Sequence, residues 1–134
     1  MTPKTITVEN LADSSAQEVF DFIAFSGLNQ GKQSKGEDED GHPFCLYRGP
    51  NGTKCFAGFI LSDQNIKENH IGEGSDWKNL VINNGFPSEH ADLIGALQIL
   101  HDCNPVENWP SMLYNFALDR KLSPLIVDQF INLR

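Results

Sequence analysis

The chain has 134 residues, 40% of them hydrophobic, and a formal charge of −8 from 18 acidic against 10 basic side chains. That length suits one domain with a core large enough to need no metal or disulfide staple. The charge argues against direct nucleic-acid binding and against an anionic membrane as partner. No segment approaches the roughly 20 apolar residues of a membrane helix. The opening stretch lacks an apolar run of signal-peptide length, and three cysteines are too few and too odd for a disulfide framework. A cytoplasmic protein is expected.

Ile6 and Val8 alternate with threonines and Glu9, which predicts a short strand over 4–9. Ser14 with Gln17 and Ser15 with Glu18 both have capping-box spacing. A helix is expected from about 15 to 28, with Val19, Phe20, Phe22, Ile23 and Phe25 dense enough to bury more than a narrow stripe, and Gly27 or Gly31 at its end. Residues 29–43 are polar, carry the run Glu37-Asp38-Glu39-Asp40, and read as a loop. The stretch that follows reads as two apolar arms, about 44–48 and 54–61, joined at Asn51-Gly52. Both residues of that pair tolerate positive φ, which makes it a strong hairpin signal. Both faces of the arms carry apolar side chains, so neither is expected to be fully solvated. Gly58 within the second arm marks a bulge or a close backbone approach.

Residues 62–75 read as an irregular connection. A short helix over roughly 76–83 is expected to start from Ser75, to present Trp77, Leu80 and Val81, and to end at Asn84-Gly85. Ser88 is placed to cap a helix of about 89–102 with Leu93, Ile94, Leu97 and Leu100 at helical spacing and Glu89 and Asp92 in the first turn. Pro105 stops it. Asn108 can cap another helix with Trp109, Leu113, Phe116 and Ala117 on one side, and Ser123-Pro124 opens a last one carrying Leu125, Ile126, Phe130 and Ile131. The pattern therefore predicts a single α+β domain over 1–134, a small antiparallel β-hairpin or three-stranded sheet packed with about five α-helices.

Candidate chemistry is sparse. Cys45, Cys55, Cys103, His42, His70, His90 and His101 are possible metal ligands, but no C-x-x-C or H-x-x-x-H spacing occurs. His90 and His101 share a helical face yet would stand about 16 Å apart along the axis. No metal and no cofactor is expected. A two-residue turn at Asn51-Gly52 sets Cys45 opposite residue 58, and an odd loop centred on Pro50 sets it opposite Cys55. Reduced thiols acting as small apolar side chains are expected in either case. Asp38-x-Asp40-Gly41 resembles the middle of a calcium loop, but Gly36 and Tyr47 occupy its first and last ligand positions. Gly72-Glu73-Gly74-Ser75 precedes a helix start, where an anion could sit, but Glu73 places a carboxylate there. His70, Ser75 and Asp76 supply a base, a hydroxyl and a carboxylate without a Gly-x-Ser-x-Gly elbow. No catalytic residue is assigned. The preferred reading is partner binding through Glu37, Asp38, Glu39 and Asp40 to a basic surface. The alternative is a small-ligand or hydrolytic site built on the 70–76 loop, with Arg48, His70, Glu73 and His101 converging.

A longer pattern runs through the chain: Gly31, Ser34, Asp40-Gly41, then Cys45-Leu46-Tyr47-Arg48-Gly49-Pro50-Asn51-Gly52-Thr53-Lys54-Cys55, then Gly58 and Asp63. Glu73-Gly74 and Leu97-Gln98-Ile99-Leu100-His101-Asp102 follow. Over about 28–120 this resembles a group of small, functionally uncharacterised proteins carried by bacteriophages and prophages. That group has a Cys-x-Tyr-Arg-x-x-x-Gly-x-Lys-Cys core, a later Glu-Gly and a Leu-Gln-x-x-His-Asp-like segment. Phe56-Ala57 departs from the small-then-branched pair expected after Lys-Cys. The resemblance implies a phage or mobile-element accessory protein in the bacterial cytoplasm; the acidic surface then makes a basic host protein the expected partner. It carries over no catalytic residue.

Overall fold

A computed structural model describes residues 2–37, 39–41, 43–71 and 76–131. Six α-helices form its framework: α1 Ala16–Gln30, α2 Asp63–Glu68, α3 Trp77–Asn84, α4 Ala91–Cys103, α5 Trp109–Asp119 and α6 Leu125–Ile131. Local chemistry sets their ends. At α1 the second of the two capping-box spacings forms: Glu18 N–H donates to Ser15 Oγ at 3.0 Å, and Ser15 N–H donates to the Glu18 carboxylate at 2.9 Å. Gly31 ends the helix in the left-handed conformation, φ 65°. Gly27 lies inside the helix, where a Cβ would collide with the Phe56 ring. Asp76, not Ser75, caps α3 by accepting the Asn79 N–H at 2.8 Å. Helix α4 begins later than the Ser88 reading predicts, with His90 at its N-cap at φ 64°. The His90 ring donates to the Ser14 carbonyl at 2.6 Å and so ties α4 to the segment entering α1.

The fold is all-helical rather than α+β. The expected β-hairpin over 44–48 and 54–61 does not form, nor does the strand over 4–9. Among the described residues, strand pairing is confined to β1 Lys35–Glu37 and β2 Pro43–Cys45, an antiparallel ribbon of three residue pairs that builds no layer. Its register sets Cys45 against Lys35, so neither hairpin register applies. Asn51 and Gly52 do adopt positive φ, 59° and 76°. They spend it on a 3-10 turn closed by Thr53 N–H on Pro50 O, which brings Gly49 N–H to Thr53 O at 2.8 Å. The apolar run after Cys55 coils into a second 3-10 turn, Ala57–Phe59. A short, continuous apolar run carries no period that separates a strand from a buried turn, and here burial on every side decides. Cys55, Phe56, Ala57, Ile60 and Leu61 are all inside. Helix α2 forms in the stretch read as irregular, because Ser62 and Asn65 make a reciprocal capping box without a Glu or Gln.

The core is one cluster. Phe56 sits at its centre, with the Trp109 ring 4.9 Å away edge-on and the His101 ring at 5.1 Å. Helix α1 packs on α5 and α6, and α4 packs on α3 and α5. Phe20 stacks on Phe116 at 6.0 Å, and Phe25 meets Phe130 edge-on at 5.8 Å. Leu97 is fully buried, whereas Phe22 is only partly buried against the cluster.

Glutamine side chains pin the irregular segments to the helices. Gln30 accepts from Lys54 N–H and donates to Lys54 O, at 2.9 and 2.8 Å. Gln17 does the same to Ser123, at 2.7 and 3.0 Å. Each amide thus supplies one donor and one acceptor to a single backbone residue, as a neighbouring strand would. Gln17 also donates to Asp21, whose carboxyl is raised above its ordinary range, chiefly by burial, against the lowering effect of that hydrogen bond. A raised folded value means that ionised Asp21 works against the fold at neutral pH and stops doing so once protonated. Asp21→Asn should therefore raise the thermal midpoint slightly at pH 7, with the gain vanishing as pH falls below the carboxylate range. Melts at several pH values check this. A gain that grows in acid contradicts it.

Candidate functional site

His101 has no exposed surface, and both of its ring nitrogens are hydrogen-bonded. The Ser34 N–H donates to Nε2 at 3.1 Å, a role that needs an unprotonated nitrogen, so the ring proton sits on Nδ1. Nδ1 donates to the Asp102 carboxylate at 2.7 Å, and Gln98 donates to the same oxygen at 2.9 Å. Gln98 also accepts the Ala57 N–H at 2.9 Å. Every nitrogen of the ring is committed. The His-Asp pair therefore has no nitrogen facing a substrate and holds the 34–57 segments against α4.

Arg48 is committed in the same way. Its Nη1 donates to Tyr47 O and Gly58 O at 2.8 and 2.9 Å, its Nη2 to Leu61 O at 2.6 Å, and its Nε to Asp63 at 2.6 Å. That last contact holds the Asp63 carboxyl below its ordinary range, first by the hydrogen bond and then by the guanidinium charge. Gly58 fits beneath because a Cβ there would lie 2.7 Å from Tyr47 O. His70 stands exposed just past α2, at φ 51°. Glu73 lies outside the described residues.

Of the acidic run, Glu39 and Asp40 are exposed, Glu37 belongs to the backbone of β1, and Asp38 lies outside the described residues. Among the described residues no three His, Cys, Asp or Glu side chains gather as they would around a metal ion. Cys55 is buried and free, and Cys103 is exposed and free. No helix of the described residues is long and apolar enough to cross a membrane.

Two concavities lie elsewhere, along the outer face of α4. A hollow of about 670 Å³ opens between α3 and α4 over Gly95 and Ala96. A second, of about 270 Å³, opens between α4 and α5 beside Met112 and Asn115. Both are lined by Ala96 and Ile99, so Ile99, 63% exposed, forms a crest between them. Carboxylates of Asp76, Asp92 and Asp102 line the first hollow and Asp119 the second. Lys78 pairs with Asp92 at 3.4 Å, and the Arg120 guanidinium lies over the Phe116 ring at 4.7 Å. The chain carries the signal for this face. Leu93, Leu97 and Leu100 mark the buried side of α4, which leaves Asp92, Gly95, Ala96 and Ile99 on the other, an apolar crest where a solvated face would carry a polar residue.

No protein-family model, curated protein or solved structure matches the chain.

Proposed function

We propose that the protein is a non-catalytic binding module, an accessory protein of phage type that engages a host protein with a basic surface in the bacterial cytoplasm. One observation carries this reading. The groups best suited to chemistry, His101 and Arg48, spend their nitrogens on internal hydrogen bonds, while carboxylates stand outward. A net charge of −8 adds long-range attraction toward a cationic partner and none toward phosphate or an anionic membrane. The phage assignment rests on the Cys45–Cys55 motif and its neighbours.

The test is retention of bacterial lysate proteins on the immobilised chain at low and high salt. It is run beside a variant with Glu37→Gln, Asp38→Asn, Glu39→Gln and Asp40→Asn. A defined protein held at low salt and released at high salt is expected. The variant should associate more slowly with that protein while its thermal midpoint stays nearly unchanged. Retention indifferent to salt, or a stoichiometric small molecule in place of a protein, overturns the reading.

A further inference from the structure

We infer that the outer face of α4, the Ile99 crest with a hollow on either side, is the docking surface, and that its occupant is a basic amphipathic helix of the partner. The inference rests on the binding reading above and gives it an address.

Charge points to the occupant's sign. Among the described residues four acidic side chains, Asp76, Asp92, Asp102 and Asp119, line the two hollows against two cations. Lys78 pairs with Asp92, Asp102 accepts from Gln98 and Asp76 accepts the Asn79 N–H, and the excess over the two cations is two negative charges. A second copy of the chain would bring two acidic rims together, each from a molecule of charge −8, which argues against self-association through this face. Shape points to apolar anchors: Ile99 and Met112 are exposed, and Gly95 leaves open space where a side chain would otherwise stand.

Backbone accounting points to a helix. The lining residues belong to α3, α4 and α5 or to the residues that flank them. Among the described residues no strand edge borders either hollow, so an extended segment would find no row of main-chain partners in them. A helix satisfies its own backbone and needs only a groove for its apolar side. The strip from Asp92 to Asp102 runs about 15 Å along α4, long enough for a few turns of a partner helix to lie against it.

Gly95 supplies a test that does not depend on damaging the fold. A Cβ there meets nothing within 4 Å, and Leu is a better helix former than Gly, so Gly95→Leu should keep or raise the thermal midpoint while filling the larger hollow. The probe is a fluorescein-labelled Leu/Lys amphipathic helical peptide about four turns long, read by anisotropy against the full chain. The parent should bind it. Gly95→Leu should weaken it about tenfold or more, Ile99→Ser should weaken it as well, and the variant neutralised at 37–40 should lose less. Equal binding by the parent and Gly95→Leu overturns the docking surface, as does failure of the parent to bind. A dimer in sedimentation that Gly95→Leu dissociates overturns it in favour of a second copy. If a salt-sensitive lysate partner is still retained, only the address is wrong. If none is retained, the binding reading falls with it.

Discussion

Phe56→Ala should cost about 3–5 kcal/mol of unfolding free energy, the range for removing a large aromatic side chain from a close-packed interior. The ring is fully buried, meets Trp109 and His101, and fills the space that Gly27 leaves in α1. These neighbours come from different elements and cannot all close on the cavity, so little of the cost should be recovered by relaxation. Urea melts measure it, with Ile82→Ala as the control, because Ile82 is 78% exposed and should change little. A loss below about 1 kcal/mol for Phe56→Ala would mean that the cluster is not organised around this ring.

Phe56 also shows why part of the fold was legible in the sequence and part was not. Helices α1, α3, α4, α5 and α6 announce themselves through periodic apolar residues and through caps that act within one turn, such as Ser15 with Glu18 and the left-handed Gly31 and Gly85. The 44–61 stretch carries equally local signals, but its conformation is fixed by distant groups. Gln30 from α1, Gln98 from α4 and the Arg48 side chain satisfy backbone atoms that a second strand would otherwise take. Asn51-Gly52 states that the chain can turn with positive φ, not which turn it makes, and a 3-10 turn uses the pair as well as a hairpin does. The same long-range pairing hides the role of His101. In sequence it is one histidine before an aspartate. Only the fold brings the Ser34 N–H to Nε2 and commits the ring. The α4 face was readable in principle, because an isoleucine opposite the Leu93–Leu97–Leu100 side is visible on a helical wheel. The hollows beside it depend on how α3 and α5 flank α4.

Arg48→Ala should cost about 3 kcal/mol, because it leaves the partly buried carbonyls of Tyr47, Gly58 and Leu61 without the donor that now serves them. The guanidinium's planar fork reaches three carbonyls at once, which a lysine ammonium on a flexible stem does not reproduce. Arg48→Lys should therefore recover less than half of the loss. The ion pair with Asp63 is a different matter. Its carboxylate side chain is 88% exposed, and an exposed pair gains little over its hydrated partners. Asp63→Asn should leave the denaturation midpoint nearly unchanged at pH 7. Because the Asp63 carboxyl is held below its ordinary range, whatever the pair contributes is present above the unfolded value and fades as pH falls through the folded one. Hydrogen exchange gives the local readout. Opening the clamp should release amides along 47–61 by more than it releases those of α5. If Asp63→Asn proves as damaging as Arg48→Ala, the surface ion pair holds the segment and the carbonyl clamp does not.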